Sequence, residues 1–206
     1  MILGPQELLK LVKEIKLVEN LSERELTNPE GAGFDLRLGE VYKIKGKAFL
    51  GVTERHTADI ELVAKYKQVR HSGKVASTTA SRIDPGQRVQ LSQARMTQKS
   101  ITIKPWEFYL VKTIESVNMP ENLTASITPR STTYRSGIFV RTGNVPPGYC
   151  GELTFGLKNE GSVPVTIELG ARFVHIQFSE VKGGGSLYRG QWQGGRVTAK
   201  KKENQV

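Results

Sequence analysis

From residue 34 onward the chain consists of short apolar runs separated by Gly and Pro, and this pattern limits its fold more than any other feature. Residues 34–38 alternate between apolar and polar side chains, as expected for a strand with one buried face. Similar runs follow at residues 41–44, 101–103, 108–113, 123–127, 137–141, 152–157, 163–169 and 172–178. The pattern predicts a mainly β fold, a barrel or a sandwich, rather than an α/β sheet.

Only the N-terminal residues 5–18 show clear helical spacing. Leu8, Leu11 and Ile15 fall on one side of a helix, and Pro5 suits its first turn. A single helix docked on the β core is therefore expected.

The chain of 206 residues contains one cysteine, Cys150. An intrachain disulfide and a cysteine-ligated zinc site are therefore excluded, and a reducing, cytoplasmic location is the simpler interpretation. Residues 1–16 carry charges among their apolar side chains and have no small-residue cleavage site, so they do not resemble a signal peptide. No apolar stretch is long enough to cross a bilayer, and no membrane partner is expected.

The net charge of +10 favours polyanionic partners, either nucleic acid or nucleoside triphosphates. Part of the excess lies in Arg196 and residues 200–202, and such a run near a terminus is usually a solvated tail. The aromatic content is 7% and no nucleic-acid recognition motif is present, so nucleic acid is the least favoured partner.

The pattern of Gly and charge also predicts the domain organisation. Residues 1–182 are expected to form one domain, and residues 183–206 a linker followed by a flexible arm and tail, because residues 183–186 read GGGS. Residues from about 46 to 100 are polar and charged, and we interpret them as a central insertion with irregular or strand-like arms.

Five short motifs follow one another in a fixed order. Residues 33–39 read GFDLRLG, 129–132 read PRST, 147–153 read PGYCGEL, 170–173 read GARF and 188–194 read YRGQWQG. In order and spacing they resemble the motifs of the dCTP deaminase/dUTPase family in its long, deaminase-type form. The resemblance covers residues 31–196 except the insertion, and it implies a distorted β-barrel with a C-terminal arm.

The second motif has the chemistry of a phosphate-binding loop. Arg130 and Arg135 can supply charge-assisted, forked hydrogen bonds, and Ser131 and Thr132 supply hydroxyl donors. Without the other motifs, a surface loop with ordinary exposed arginines would be the better explanation of these residues.

The resemblance also implies further nucleotide contacts and a mode of assembly. Tyr149 would pack against the sugar and exclude a 2′-hydroxyl, although it could equally be barrel packing. Tyr188 and Gln193 on the arm, and Arg172 in the fourth motif, would also contact the nucleotide. The arm would close over the ligand as a lid, or else dock on a neighbouring subunit. The family implies a homotrimer that binds dCTP or dUTP with Mg²⁺ carried by the triphosphate, and no metal site within the chain.

The chain departs from the family at the positions that carry catalysis. The general-base glutamate of the deaminases corresponds to Gly156, and the water-orienting aspartate of the dUTPases corresponds to Pro146. Neither residue can take a proton. Glu152 and His175 remain as the candidate catalytic residues, although a lone histidine in an apolar strand is more often simply packed and hydrogen-bonded.

Two functions follow from these observations. The first is an enzyme of pyrimidine deoxynucleoside triphosphate metabolism, which deaminates dCTP or hydrolyses dUTP to release pyrophosphate. The alternative is a non-catalytic dNTP-binding protein with a regulatory or structural role, which the loss of both family carboxylates favours.

Overall fold

The computed structural model describes residues 1–67, 100–199 and 203–204. Its helices are α1 (Pro5–Ile15), α2 (Glu23–Thr27) and α3 (Ser131–Arg135). Its strands are β1 (Val18–Glu19), β2 (Phe34–Lys45), β3 (Phe49–Leu50), β4 (Glu54–His56), β5 (Asp59–Lys65), β6 (Ser100–Ile103), β7 (Phe108–Asn118), β8 (Leu123–Pro129), β9 (Ile138–Arg141), β10 (Asn144–Val145), β11 (Cys150–Asn159), β12 (Val165–Glu168), β13 (Arg172–Glu180) and β14 (Glu203–Asn204). The predicted mainly β fold is confirmed.

Helix α1 begins at Pro5, as predicted, and buries Leu8 completely. It ends three residues before the predicted boundary because Lys16 takes a left-handed conformation with φ 55°. The following residues then leave the helix axis, and Val18 pairs with Val117 of β7. Within the described residues, no helix has the length and apolarity needed to span a membrane.

The main sheet is antiparallel and curls because β2 takes part in both of its halves. The strand order is β10-β8-β13-β2-β7-β11-β9, with β1 added to β7 and β5 added to β2. Residues 34–37 of β2 pair with β13, and residues 38–42 pair with β7 after a shift in register at Gly39. A Cβ atom at Gly39 would lie 2.8 Å from the Thr113 carbonyl oxygen, so only glycine fits this crossing point.

Two small sheets complete the fold. Strand β6 pairs with β12, and strand β4 pairs with both β3 and β14. The sequence runs at 101–103 and 108–113 flank a turn as expected, but β6 and β7 belong to different sheets. Residues 49–65 of the predicted insertion form β3, β4 and β5, whereas residues 68–99 lie outside the described residues. The domain boundary near residue 182 stays a prediction.

The core lies on one face of the curled sheet. Along β7 and β11 the odd-numbered residues, such as Val111 and Leu157, are buried, and the even-numbered residues form a partly exposed outer face. This alternation sorts the side chains of each strand into core residues and residues available to a ligand or a partner.

Candidate functional site

Asp35 in β2 is the centre of a cluster of ion pairs. It is 5% exposed. Arg130 donates a hydrogen bond from Nη1 to Asp35 Oδ2, and Arg172 Nη1 lies 2.9 Å from the same oxygen. His175 Nδ1 lies 3.1 Å from the other oxygen, because His175 of β13 is directly opposite Asp35 in the sheet. The cluster therefore joins the first, second and fourth sequence motifs.

The electrostatics of this cluster keep Asp35 ionised. Burial alone would raise its pKa, but the hydrogen bond with His175 and the charges of Arg130 and Arg172 outweigh burial and lower it. The buried carboxylate of Glu25 adds to the network, because its Oε2 accepts the Asp35 backbone N–H at 3.0 Å. Arg130, Arg172 and His175, all predicted as ligand-binding or catalytic residues, are thus paired with a carboxylate within the chain.

The other candidate ligand-binding residues of the second motif are exposed to solvent, unlike the ion-paired Arg130. Ser131, Thr132 and Arg135 lie in the single turn of α3, and all three are exposed. Within the part of the chain that the structure describes, their side chains make no hydrogen bond or ion pair. The turn itself is anchored by Thr133, which donates to the Phe173 carbonyl at 2.9 Å. The loop therefore offers Arg135, rather than Arg130, as a free guanidinium.

Tyr149, Tyr188 and Gln193 come together where the arm crosses the hairpin of the third motif. The rings of Tyr149 and Tyr188 meet edge to face at 5.4 Å. Gln193 donates from Nε2 to the Gly148 carbonyl at 2.9 Å and accepts the Cys150 N–H at 3.1 Å. The arm thus packs on the hairpin of its own chain, and its predicted flexibility stays a prediction.

Tyr149 is held as a neutral phenol. Burial, with a smaller effect from the neighbouring Tyr188 and Glu152, raises its pKa to about 12. Its hydroxyl donates to the Glu152 carbonyl at 2.7 Å. The ring is therefore fixed against the strand and presents an apolar face.

A cavity of about 460 Å³ lies between the hairpin, the arm and the main sheet. Its walls are mainly apolar, and the lining residues are Ile44, Thr57, Ala58, Leu110, Ile127, Gly143, Asn144, Val145, Pro146, Tyr149, Leu153, Thr154, Phe155, Tyr188, Trp192, Arg196 and Val197. Among the described residues, no Asp, Glu or His side chain lines it. Thr154 contributes a hydroxyl oxygen that is buried and has no hydrogen-bond partner within residues 1–67, 100–199 and 203–204.

Pro146 and Gly156, the residues predicted to stand at the positions of the family carboxylates, have no side chain that can take a proton. Pro146 forms part of the cavity wall. Gly156 faces the outer side of β11, where a Cβ atom would lie 3.0 Å from the ring of Phe108. The space that a side chain at residue 156 would need is therefore covered by an aromatic ring.

The two candidate catalytic residues lie apart from each other and outside the cavity lining. The carboxylate of Glu152 is 37% exposed on the outer face of β11, with Oε2 3.9 Å from Lys112 Nζ. His175 belongs to the Asp35 cluster. Their catalytic roles stay predictions.

A second carboxylate beside Glu152 was not identified from the sequence. Glu40 of β2 contacts Lys65 Nζ at 2.7 Å and Lys112 Nζ at 3.2 Å, and it accepts a hydrogen bond from Tyr42. Burial would raise its pKa, but the bonds from Lys65 and Tyr42 and the charge of Lys112 lower it to about 2. Only the pairing of β2 with β5 and β7 brings these residues together, and no local pattern signals it.

A second cavity, of about 610 Å³, lies on the arm next to the first. It is lined by Arg55, Tyr188, Arg189, Gly190 and Trp192. Tyr188 and Trp192 line both cavities. Over residues 1–67, 100–199 and 203–204, no three His, Cys, Asp or Glu side chains are grouped so as to hold a metal ion.

Comparison with known proteins identifies the family. The model of the dCTP deaminase-like family matches residues 2–181. The chain is 30% identical over 183 residues to a dUMP-forming dCTP deaminase of Dictyoglomus turgidum, which covers 86% of this chain and 79% of the relative. It is 30% identical over 186 residues to a dCTP deaminase of Pyrococcus furiosus, which covers 90% and 88% of the two chains.

A solved structure supports the fold. The crystal structure of 2′-deoxycytidine 5′-triphosphate deaminase from Agrobacterium tumefaciens superposes with a TM-score of 0.57 at 18% identity. The match covers 86% of this chain and 46% of that chain, so this chain spans less than half of that protein. The order of the motifs, the curled sheet and the sequence matches agree, and the chain belongs to the dCTP deaminase-like family.

Proposed function

We propose that this chain is an enzyme of pyrimidine deoxynucleoside triphosphate metabolism, which deaminates dCTP or hydrolyses dUTP with release of pyrophosphate. The observation that carries the proposal is the apolar cavity between the third-motif hairpin and the arm, in a member of the dCTP deaminase-like family. A cavity of about 460 Å³ is of the size that encloses a nucleoside.

The base and sugar would occupy this cavity, with Tyr149 against the sugar and Tyr188 and Gln193 closing the arm over it. The neutral phenol of Tyr149 and its fixed ring support a role in packing against the sugar. Ser131, Thr132 and Arg135 are exposed donors for phosphate oxygens. Arg130 and Arg172 would act with them by holding the motifs together through Asp35.

Of the two candidate catalytic residues, Glu152 is better suited to act as the general base. Its carboxylate is partly exposed beside Lys112, whereas His175 is hydrogen-bonded to Asp35. A base must come within hydrogen-bond reach of the water that it activates. Because neither residue lines the cavity in the described part of one chain, Glu152 must approach as the ligand binds, or a second copy must complete the site.

A homotrimer would supply such a second copy. The outer face of the sheet exposes the apolar side chains of Ile44, Leu62, Phe108 and Phe139, which an assembly would cover. Light scattering on the purified chain tests this point, with a trimer mass as the expected result and a monomer as the contrary one.

The proposal also includes Mg²⁺ bound with the triphosphate and a cytoplasmic location of the protein. Mg²⁺ would be held by the triphosphate oxygens and would neutralise part of their charge, since the described residues offer no cluster of protein ligands. The single cysteine, Cys150, is free and exposed, which suits a reducing cytoplasm.

The alternative function is a non-catalytic dNTP-binding protein. One observation favours it: the cavity wall in the described part of the chain carries no Asp, Glu or His, and Pro146 is part of that wall. A binder predicts a rise in the melting temperature with dCTP or dUTP and no chemical product.

One assay separates the two functions. The protein is incubated with Mg²⁺ and dCTP, dUTP or each remaining dNTP, and the products are resolved by chromatography with ammonia and pyrophosphate assays. Ammonia from dCTP, or pyrophosphate with a monophosphate, is the expected result. Binding without either product would contradict the enzyme, and absence of binding would contradict both functions.

Variants then test the catalytic residue. Glu152→Gln should lower the rate at saturating nucleotide by at least about a hundredfold, the size of a general-base contribution. Glu160→Gln, which removes an outlying carboxylate paired with Arg141 and Lys158, is the matched control and should leave the rate unchanged. An unchanged rate in Glu152→Gln together with a large loss in His175→Gln would assign the base to His175 instead.

A further inference from the structure

Thr154 of β11 places a buried hydroxyl group in the wall of the first cavity. Its Oγ1 has no hydrogen-bond partner within residues 1–67, 100–199 and 203–204. In the same part of the chain, the other buried side-chain atom without a partner is Gln191 Nε2, and Gln191 does not line this cavity. Buried polar groups are nearly always hydrogen-bonded, so an unpaired hydroxyl in a cavity wall points to a ligand that completes the bond.

The other hydroxyl groups of the cavity wall are already used within the chain. Thr57 accepts an arm N–H at 2.9 Å, Tyr149 donates to a β11 carbonyl at 2.7 Å, and the Tyr188 oxygen accepts an arm N–H at 3.2 Å. The amide of Asn144 belongs to an exposed residue, where solvent can satisfy it. Thr154 is therefore the buried hydroxyl of this wall that is left for a ligand, and it can both donate and accept.

The pairing of β11 with β7 connects Thr154 with the candidate general base. Thr154 is directly opposite Lys112, and Lys112 Nζ lies 3.9 Å from Glu152 Oε2. Directly opposite residues of antiparallel strands carry their side chains on the same face, with Cβ atoms about 4.5–5.5 Å apart. A ligand group that is bonded to Thr154 is thus on the side of the cavity where Lys112 and Glu152 lie.

We propose that the Thr154 hydroxyl binds the exocyclic group at C4 of a pyrimidine base in the first cavity, an inference that rests on the proposed function. Water attacks this carbon when a cytosine is deaminated, so C4 must face the side of the candidate base Glu152. The hydroxyl can accept from the amino group of cytosine or donate to the carbonyl oxygen of uracil. Thr154 is therefore a specificity-determining residue, which selects bases with a polar group at C4, and the apolar walls cover the rest of the ring.

A double-mutant cycle measured by calorimetry with Mg²⁺ tests this contact. Thr154→Val removes the hydroxyl, and the deoxynucleoside triphosphate of 2-pyrimidinone, which carries hydrogen at C4, removes the ligand's side of the bond. Thr154→Val should bind dCTP about tenfold more weakly than the wild type does, and the wild type should bind the analogue more weakly than dCTP by a similar factor. In Thr154→Val the two ligands should differ by less than about twofold, because the bond is already absent.

Two further variants serve as controls. Thr154→Ser keeps the hydroxyl and should bind dCTP within about threefold of the wild type. Thr102→Val removes an exposed hydroxyl that is 2.8 Å from Thr166 Oγ1, outside both cavities, and should leave dCTP binding unchanged. Circular dichroism confirms that each variant is folded. Equal losses on removal of the amino group in the wild type and in Thr154→Val would overturn the proposal, because the two groups would then not meet.

Product analysis separates this proposal from the proposed function. A coupled cycle without ammonia or pyrophosphate release would support the contact at Thr154 and contradict the enzyme. Product release together with an additive cycle would support the enzyme and overturn the contact. Failure of the folded wild type to bind dCTP and dUTP would overturn both.

Discussion

The cluster around Asp35 and the two cavities under the arm both contain arginines, yet their charges are arranged in opposite ways. At Asp35, Arg130, Arg172 and His175 converge on one buried carboxylate. The second cavity is lined by Arg55 and Arg189, with no carboxylate among the lining residues of the described chain. The first cluster is neutralised within the fold, and the second retains its charge.

The difference teaches how to separate arginines that stabilise the structure from arginines that bind a ligand. A buried carboxylate with several cationic partners costs little only while all of them remain. Hydrogen-bond donors that line a cavity without acceptors contribute favourable interactions only when a ligand that carries acceptors binds there. Removal of a residue from the first region should therefore change stability, and removal from the second should change binding.

The largest effect is expected at the centre of the paired cluster. Asp35→Ala should lower the free energy of unfolding by about 3–5 kcal/mol, because it leaves several cationic side chains without their partner. Urea unfolding monitored by circular dichroism measures this. Glu160→Ala, which removes the partner of the exposed Arg141, should change the same quantity by less than about 0.5 kcal/mol. Equal losses in the two variants would contradict the comparison.

The ion pairs of Glu40 with Lys65 and Lys112 test whether a paired carboxylate elsewhere in the sheet also stabilises the fold. The pKa of Glu40 in the folded state is about 2, below its ordinary value of 4.5, so its contribution is complete above about pH 4.5 and disappears as the pH falls through 2. That loss should amount to about 2–3 kcal/mol of unfolding free energy. Glu40→Gln should lose this part of the acid dependence in urea titrations at pH 7, 4.5 and 2.5. An identical pH profile in variant and wild type would be the contrary result.

Trp192 tests the cavity side of the comparison. Trp192→Ala should raise the Kd for dCTP by about tenfold through the loss of an aromatic wall shared by both cavities. Its unfolding free energy should change far less than that of Asp35→Ala. Trp106→Ala, at a position that is 70% exposed and outside both cavities, is the control and should bind dCTP as the wild type does.

The smallest effect distinguishes two threonines by the state of their hydroxyl groups. Thr113 Oγ1 donates to the Glu115 carbonyl at 2.6 Å and accepts the Leu153 N–H at 3.0 Å. Thr113→Val should therefore cost about 1–3 kcal/mol. Thr154→Val removes a hydroxyl without a partner in the described residues and should be neutral or slightly stabilising. Thermal unfolding of both variants measures the contrast, and equal destabilisation would show that Thr154 has a partner after all.

Much of the fold could be predicted because its signals are local. Alternation of period two requires only neighbouring residues, and the predicted runs at 34–38 and 172–178 lie within β2 and β13. The pairing of β6 with β12 could not be predicted, because it depends on contacts between residues far apart in the chain. The same holds for the bend at Gly39, which is imposed by the backbone of β7.

The candidate site likewise contains residues that local motifs predicted and a residue that only the tertiary structure identified. Tyr149, Tyr188 and Gln193 were predicted from their motifs, and the fold brings them together. Arg55 was missed because it lies in a polar stretch without a pattern, and only the pairing of β4 with the arm reveals its position.

The sequence by itself determined the mainly β class, the N-terminal helix and, through five motifs in order, the family. Only the tertiary structure decided which charged side chains have an ion-pair partner and which do not. Asp35 and its partners Arg130 and Arg172 are separated by 95 and 137 residues, and strand pairing brings them into contact. Ion pairing depends on distance and burial, which the chain acquires only when the sheet closes. The nucleotide-binding role predicted for Arg130 stays a prediction, and only the folded chain shows that Arg130 is paired with Asp35 whereas Arg135 of the same motif has no ion-pair partner among the described residues.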